Sequence, residues 1–165
     1  MNASSAPQSE LPAIGFLAEV SPEHRSFLSC FGKFLRPESG EVLIEEGASQ
    51  DSLYIVLAGT LHVVSSTSER PMLLAVFGEG ESIGEVNLFD PAAAVATVVA
   101  RTEGLLWSLN REELDGFLAA DPAAGVSVLR GLLKQTAKRI RNMNEKLLTA
   151  EQRSQFHNFW TSGAK

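Results

Sequence analysis

The sequence predicts a mainly β domain with flanking helices and a long C-terminal helix, and three observations carry that prediction. From Lys33 to Leu109, short runs rich in Val, Leu and Ile are punctuated by Gly40, Gly47, Gly59, Gly78, Gly80 and Gly84. Many short strands separated by glycines read as a compact all-β unit. Before it stands a helix start, Ser21-Pro22-Glu23. After it come two more, Asn110-Arg111-Glu112-Glu113 and Asp121-Pro122, and no proline follows Pro122.

Each element has a local reason. Ser21 can cap the first helix, and Pro22 suits its first position, where a missing N–H costs nothing. Phe27, Leu28 and Phe31 recur at helical spacing, so that helix buries one face. Val42-Leu43-Ile44 reads as a strand. Leu53 to Val64 is too long for one ordinary strand, and Gly59 supplies a turn near its middle. Met72 to Phe77 is the next strand. Val95–Ala100 and Leu105–Leu109 form a pair joined through Arg101-Thr102-Glu103-Gly104. Asn110, with a glutamate three residues on, resembles a capping box. Asp121 can cap the long helix and Pro122 can open it, with helical patterning to about Ala150. Gly125 and Gly131 weaken its early turns, which therefore need tertiary support.

The 165 residues suffice for one domain with a proper core. Hydrophobic content of 44% and charged content of 21% are ordinary for a globular protein. A net charge of -6 disfavours nucleic acid and anionic membrane unless a local basic patch intervenes. Cys30 is the only cysteine, so no intrachain disulfide forms. Met1–Pro12 lacks the basic start and apolar stretch of a signal peptide. It reads as a disordered leader, 13–150 as the domain with its long helix, and 151–165 as a tail. No apolar run reaches membrane-spanning length, and the expected location is cytoplasmic.

One segment carries the functional question: Ser82-Ile83-Gly84-Glu85-Val86-Asn87-Leu88-Phe89-Asp90-Pro91, continuing through Ala92-Ala93-Ala94-Val95-Ala96-Thr97. It resembles the phosphate-binding cassette of the cyclic nucleotide-binding domain family. Gly40–Gly47 is similar to that family's entry strands, Asp51–Gly59 to its central strand and turn, and Phe77–Glu85 to its lead into the cassette. The resemblance spans roughly Phe16 to Leu148. It implies a double-stranded β-helix of jelly-roll type, an eight-stranded β-roll flanked by helices, with the nucleotide against the cassette. Gly84, Glu85, Leu88 and Thr97 fall at the family's spacing. Glu85 holds the position that binds the ribose, and Thr97 one that can donate to phosphate. Each also has a structural reading, as a glutamate favoured by a helix N-terminus and as a β-branched strand residue. The family closes the cassette with a Pro-Arg-Ala-Ala-Thr-like run, and its phosphate-clamping arginine is replaced here by Ala94. Pro91 falls earlier than the family's proline.

A cyclic phosphate is an anion that needs a positive charge, several backbone donors, or both. No Lys or Arg occurs between Pro71 and Ala100, while Glu79, Glu81, Glu85 and Asp90 do. Losing one partner of a buried charged hydrogen bond costs about 2–5 kcal/mol. At about 1.4 kcal/mol per decade this is roughly 30- to several thousand-fold in affinity. Tight binding of cAMP or cGMP is therefore not expected. Any ligand that does bind would contact Gly84, Glu85, Val86, Ala94, Val95 and Thr97. The room left by Ala92, Ala93 and Ala94 would be open to it unless Val95 or Phe89 filled the space.

In the long helix, Val126, Leu129, Leu133, Thr136, Ile140, Met143, Leu147 and Ala150 recur at alternating three- and four-residue steps, a heptad seam. Similarity to the family's bacterial activators implies a parallel homodimer, with Leu129, Leu133, Thr136, Ile140, Met143 and Leu147 in its contact. The stripe's other reading is packing on its own domain. Where those activators place a Thr-Ser pair that reaches the base, this chain has Met143-Asn144, so Asn144 is a ligand candidate. Six basic residues between Arg130 and Lys146 read as a solvated helix face before they read as a nucleic-acid site. The family's helix-turn-helix does not fit in the tail, where Phe156, Phe159 and Trp160 are possible partner anchors.

Two function classes follow. One is a stand-alone regulatory or scaffold module with weakened nucleotide binding, acting through dimerisation and an unidentified protein partner. The other is a sensor that takes a cyclic nucleotide or an atypical, less anionic or apolar ligand in the same pocket. An enzyme is not expected. His24, His62 and His157 are scattered, and neither a nucleophile elbow nor a phosphate-binding Gly-Lys loop occurs. No cofactor and no metal site are implied.

Overall fold

The computed structural model of the chain describes residues 10–65 and 71–162, with side chains described through Thr149. Two compact units divide it, the first ending at Gly131 and the second beginning at Leu132.

The first unit opens with a 3-10 turn, Gly15–Glu19, and helix α1, Pro22–Ser29. The Ser21 hydroxyl accepts from the His24 N–H and Pro22 begins the helix, as the residue types predict. The strands then follow in order: β1 (Lys33–Leu35), β2 (Val42–Ile44), β3 (Ser49–Gln50), β4 (Ser52–Ala58), β5 (Leu61–Ser65), β6 (Met72–Phe77) and β7 (Ser82–Ile83). Helix α2 (Glu85–Phe89) interrupts them, and β8 (Ala92–Ala93), β9 (Thr97–Ala100) and β10 (Leu105–Asn110) complete the set. Helix α3 (Arg111–Ala120) and helix α4 (Pro122–Ser162) follow.

Eight of these strands form two four-stranded sheets, ordered β1-β10-β4-β7 and β2-β9-β5-β6, all pairs antiparallel. The remaining two, β3 and β8, pair with each other. This is the jelly-roll arrangement that the resemblance implies. Strand alternation turns Ile44, Val56, Leu61, Phe77, Val98 and Leu106 into one apolar interior. The adjacent residues of β4 and β10, Ile55 and Trp107 among them, are buried as well. Helices flanking a sheet cover its second face in this way. Phe27, Phe31 and Phe117 join α1 to α3 through edge-to-face and tilted ring contacts.

Several features differ from the sequence reading. The expected pair of Val95–Ala100 with Leu105–Leu109 does not form: β9 pairs with β2 and β5 in one sheet and β10 with β1 and β4 in the other, because Arg101–Gly104 carries the chain between sheets. The strand expected from Val95 starts at Thr97, and Val95 lies outside it at 89% exposure. Its apolar character reflects the closing loop of the cassette, which the alternation pattern cannot distinguish from a strand. The long helix runs to Ser162 instead of ending near Ala150, so the segment read as a tail is helical to that point. Nothing between Ala150 and Ser162 breaks a helix. Most of the leader lies outside the described residues, but Leu11 within it is buried and its carbonyl accepts from the Arg25 guanidinium.

Helix α3 carries the capping box that its sequence predicts: Asn110 Oδ1 accepts from the Glu113 N–H, and Glu113 accepts from the Asn110 N–H. Asp121 Oδ1 accepts from the N–H groups of Ala123 and Ala124 at the start of α4. The two early glycines of α4 mark close approaches. A Cβ on Gly125 would sit 2.6 Å from the Leu118 side chain, and one on Gly131 would sit 2.8 Å from the Phe16 carbonyl. The tertiary support those turns need is therefore supplied by α3 and by the 3-10 turn.

Candidate functional site

The candidate cassette begins where β7 pairs with β4, Tyr54 opposite Ile83 and Ile55 opposite Ser82. At Gly84 the chain turns with φ +90°, a left-handed conformation that L side chains rarely adopt. The turn is also crowded: a Cβ there would lie 2.1 Å from the Ser52 carbonyl oxygen. Gln50 sits beside it, buried, and donates from Nε2 to that same carbonyl at 2.7 Å. Gly84 is thus required by both dihedral and space.

Helix α2 follows in a single tight turn, with the Leu88 N–H on the Gly84 carbonyl and the Asp90 N–H on that of Val86. Asn87 donates from Nδ2 to the Ala92 carbonyl and ties the helix to β8. Glu85, at the first helical position, is only 7% exposed and already makes an interaction within the protein. Val86 and Phe89 point their apolar groups into solvent to a large extent. Leu88 is fully buried.

The segment that closes the cassette is held by backbone. The Ala94 N–H donates to the Ala48 carbonyl, and the Ala94 carbonyl accepts from the Gly47 N–H, both at 2.8 Å. The Ala94 methyl is 8% exposed and belongs to the apolar interior with Ile44, Val56, Leu61, Phe77 and Val98. Two residues on, Thr97 Oγ1 accepts from the Glu46 N–H at 3.1 Å, which gives that hydroxyl a structural task. Ala92 and Ala93 are exposed in β8, and neither Val95 nor Phe89 fills the interior, since both face solvent.

Of the sequence-predicted ligand residues, Gly84, Glu85, Val86, Ala94, Val95 and Thr97 share one stretch of chain, with Ala94 in the apolar interior, the Thr97 hydroxyl on the Glu46 N–H, and Val86 and Val95 facing solvent. Asn144 lies in the second unit and is exposed there. Three residues near the cassette were not legible as site residues. Gln50 buttresses Gly84. Tyr54 packs against the interior cluster, and burial, with the nearby Asp51 charge second, pushes its phenol above the ordinary value of 10.0. Arg111, read only as the start of a helix, donates to the Phe89 carbonyl at 3.3 Å. Tyr54 had a signal, being the one polar tip in the apolar run Leu53–Ala58. The other two depend on contacts between distant segments.

The second unit is the helical stretch from Leu132. Among the residues of the proposed contact, Leu133 is 70% exposed, and Ile140, Met143 and Leu147 are each more than half exposed. Thr136 is half-buried and donates its hydroxyl to the Leu132 carbonyl one turn back. Leu129 falls in the first unit and is half-buried.

Two antiparallel sheets closed over an apolar interior, a Gly-Glu turn into a short helix and flanking helices define the class of protein as a cyclic nucleotide-binding type of β-roll. A family model for the cyclic nucleotide-binding domain matches residues 35–121, and the chain belongs to that family. It is 28% identical over 141 residues to the CRP-like cAMP-activated global transcriptional regulator of Mycobacterium tuberculosis, covering 83% of this chain and 60% of that protein. The chain therefore spans about 60% of the length of this relative. A cyclic nucleotide-binding domain from Methylobacillus flagellatus superposes with TM-score 0.73 at 27% identity, over 79% of this chain and 74% of that one. The regulatory subunit of a cAMP-independent protein kinase A from Trypanosoma brucei superposes with TM-score 0.61 at 27% identity, over 80% of this chain and 47% of that one. A variant of that subunit was solved with cAMP in its A site. It carries arginine for threonine, alanine for the next residue, valine, and alanine for a glutamate seven positions earlier. Among the described residues, no helix is long and apolar enough to cross a membrane.

Proposed function

We propose that this chain is a regulatory module of the cyclic nucleotide-binding fold in which binding of cAMP and cGMP is lost or strongly weakened. It acts through self-association and contacts with a protein partner, without catalysis and without reading DNA by itself. The observation that carries this is Ala94. At the position of the family's arginine stands a methyl group packed into an apolar interior, with its own N–H and carbonyl both consumed by backbone. The cassette from Pro71 to Ala100 carries no Lys or Arg, and its Glu85 is buried. Burying an anion without a partner is strongly unfavourable.

The trypanosomal relative supports the reading. Its cAMP-bound variant contains a new Arg-Ala pair, which matches the Arg-Ala of the family's closing run. Ala94-Val95 occupies that pair of positions here, again with valine second and without the arginine. Self-association is assigned to the exposed stripe of Leu133, Ile140, Met143 and Leu147 on α4, with Leu129 and Thr136 at its inner end. The expected assembly is a parallel homodimer. Multi-angle light scattering at high protein concentration tests it, and a monomer contradicts it.

A second reading rests on Glu85. A buried carboxylate at the family's ribose position suits a hydroxyl-bearing ligand of lower negative charge than a cyclic nucleotide. Native mass spectrometry of freshly purified protein separates the two. A retained small molecule favours the sensor, and bare protein the scaffold module.

A further inference from the structure

Charge is divided unevenly along the chain. Residues 1–121 carry eighteen acidic and six basic residues, whereas Pro122–Ser162 carries seven basic and two acidic. Within α4 the division is sharper still. Residues 132–144 include Lys134, Lys138, Arg139 and Arg141 and no carboxylate. A helix face that only needs solvation mixes the two signs, so that neighbours three and four residues apart pair. Here Lys134 and Lys138 stand four residues apart, and Lys138 and Arg141 three. Like charges at those spacings repel. The helix runs on to Ser162, so the negative end of its dipole, which acts over the last turn, lies too far away to offset them.

These cations stand apart from the apolar stripe. At about 100° per residue, Lys134, Lys138 and Arg141 fall within one sector of the helix roughly 60° wide. In the heptad that Val126 opens, they take b and f positions, away from the a and d seam of Leu133, Ile140, Met143 and Leu147. All three are exposed. Pairing of two helices through the stripe therefore leaves one basic face outward on each chain. Glu145, in the same sector one turn further on, ends the face. From Lys134 to Arg141 it extends about 10 Å, at about 1.5 Å per residue.

Charge complementarity calls for an anionic occupant, and the rest of the chain selects which one. A long polyanion such as duplex DNA is repelled by the excess of carboxylates in residues 1–121. A short acidic protein segment needs only the length of this one face. We infer that the Lys134, Lys138 and Arg141 face of α4 is a docking site for a helical segment of a partner protein with carboxylates at i, i+4 and i+7, one for each cation. The inference rests on the reading that the chain works through a protein partner, and it does not require the homodimer. Exposed ion pairs are individually weak, so the contact depends on all three and on ionic strength.

The test uses the full chain and a labelled synthetic helical peptide with glutamate at those three positions, with its glutamine counterpart as control. Fluorescence anisotropy at low salt should show the glutamate peptide binding about tenfold more tightly than the control, a difference that physiological salt largely removes. Lys138→Glu combined with Arg141→Glu should abolish the difference and leave thermal unfolding unchanged, since both positions are exposed. Lys33→Glu combined with Arg36→Glu makes the same charge change at exposed positions of the first unit and should leave the difference intact. Equal binding of the two peptides, or an equal loss in both double variants, would overturn the inference. So would tighter binding of a duplex oligonucleotide or of phosphatidylserine vesicles than of the glutamate peptide. Light scattering on the same samples separates this inference from the homodimer. A monomer that discriminates the peptides contradicts the homodimer alone, and a dimer that does not contradicts this inference alone.

Discussion

The cassette segment and helix α4 lie in one chain but divide its chemistry. From Pro71 to Ala100 there are four carboxylates and no cation, and the key position, Ala94, is buried in an apolar interior. From Pro122 to Ser162 there are seven basic and two acidic residues, and a stripe of leucine, isoleucine and methionine faces solvent. In the first segment the fold is complete and the charge an anionic ligand needs is missing. In the second, apolar side chains at heptad spacing face solvent. The difference teaches that a family's geometry persists when the residue at its clamp position changes, because Gly84, Leu88 and the interior strands serve the fold whether or not a nucleotide binds.

The comparison can be broken at four points, in decreasing order of effect. Gly84→Ala places a Cβ against the Ser52 carbonyl in a left-handed turn. It should cost roughly 3–5 kcal/mol in denaturant unfolding, the range reserved for named steric faults. Retained stability would show that the turn is not what holds the cassette. Second, Ala94→Arg combined with Val95→Ala should raise cAMP affinity by roughly 30-fold or more, the equivalent of about 2 kcal/mol. Isothermal titration with both proteins reads this directly, and no gain would mean that more than the clamp has been lost.

Third, Asn110→Ala removes the α3 capping box and should lower stability by about 1 kcal/mol, with cAMP binding unaffected. Fourth, Tyr54 gives a small alkaline signature. Its folded-state pKa is raised above 10.0, chiefly by burial, so its neutral form is favoured in the folded chain. The contribution is fully present below pH 10 and is lost as pH rises from there through the folded-state value. Tyr54→Phe should flatten the decline in thermal stability above about pH 10. An unchanged decline would point to other groups.

The strands were largely legible because their punctuation is local. Met72–Phe77 is bounded by Pro71 and Gly78, and Gly59 splits β4 from β5 at the turn its conformation allows. The caps at Ser21, Asn110 and Asp121 were legible for the same reason, being decided within four residues. The start of β9 was not, because Val95 is apolar for neither a strand nor a core and only the folded loop turns it outward. The helix end was misplaced because sequence marks where a helix must stop more clearly than where it continues. At the cassette, the absent cation was visible in the sequence. The capture of the Ala94 backbone by Gly47 and Ala48 was not, since it joins segments nearly fifty residues apart.

The central claim is that this cassette does not hold a cyclic phosphate tightly. Calorimetric titration of freshly purified chain with cAMP and, separately, with cGMP tests it most directly. The account predicts no heat of binding at micromolar concentrations of either nucleotide. Saturable binding of either one with a micromolar or tighter Kd would contradict it.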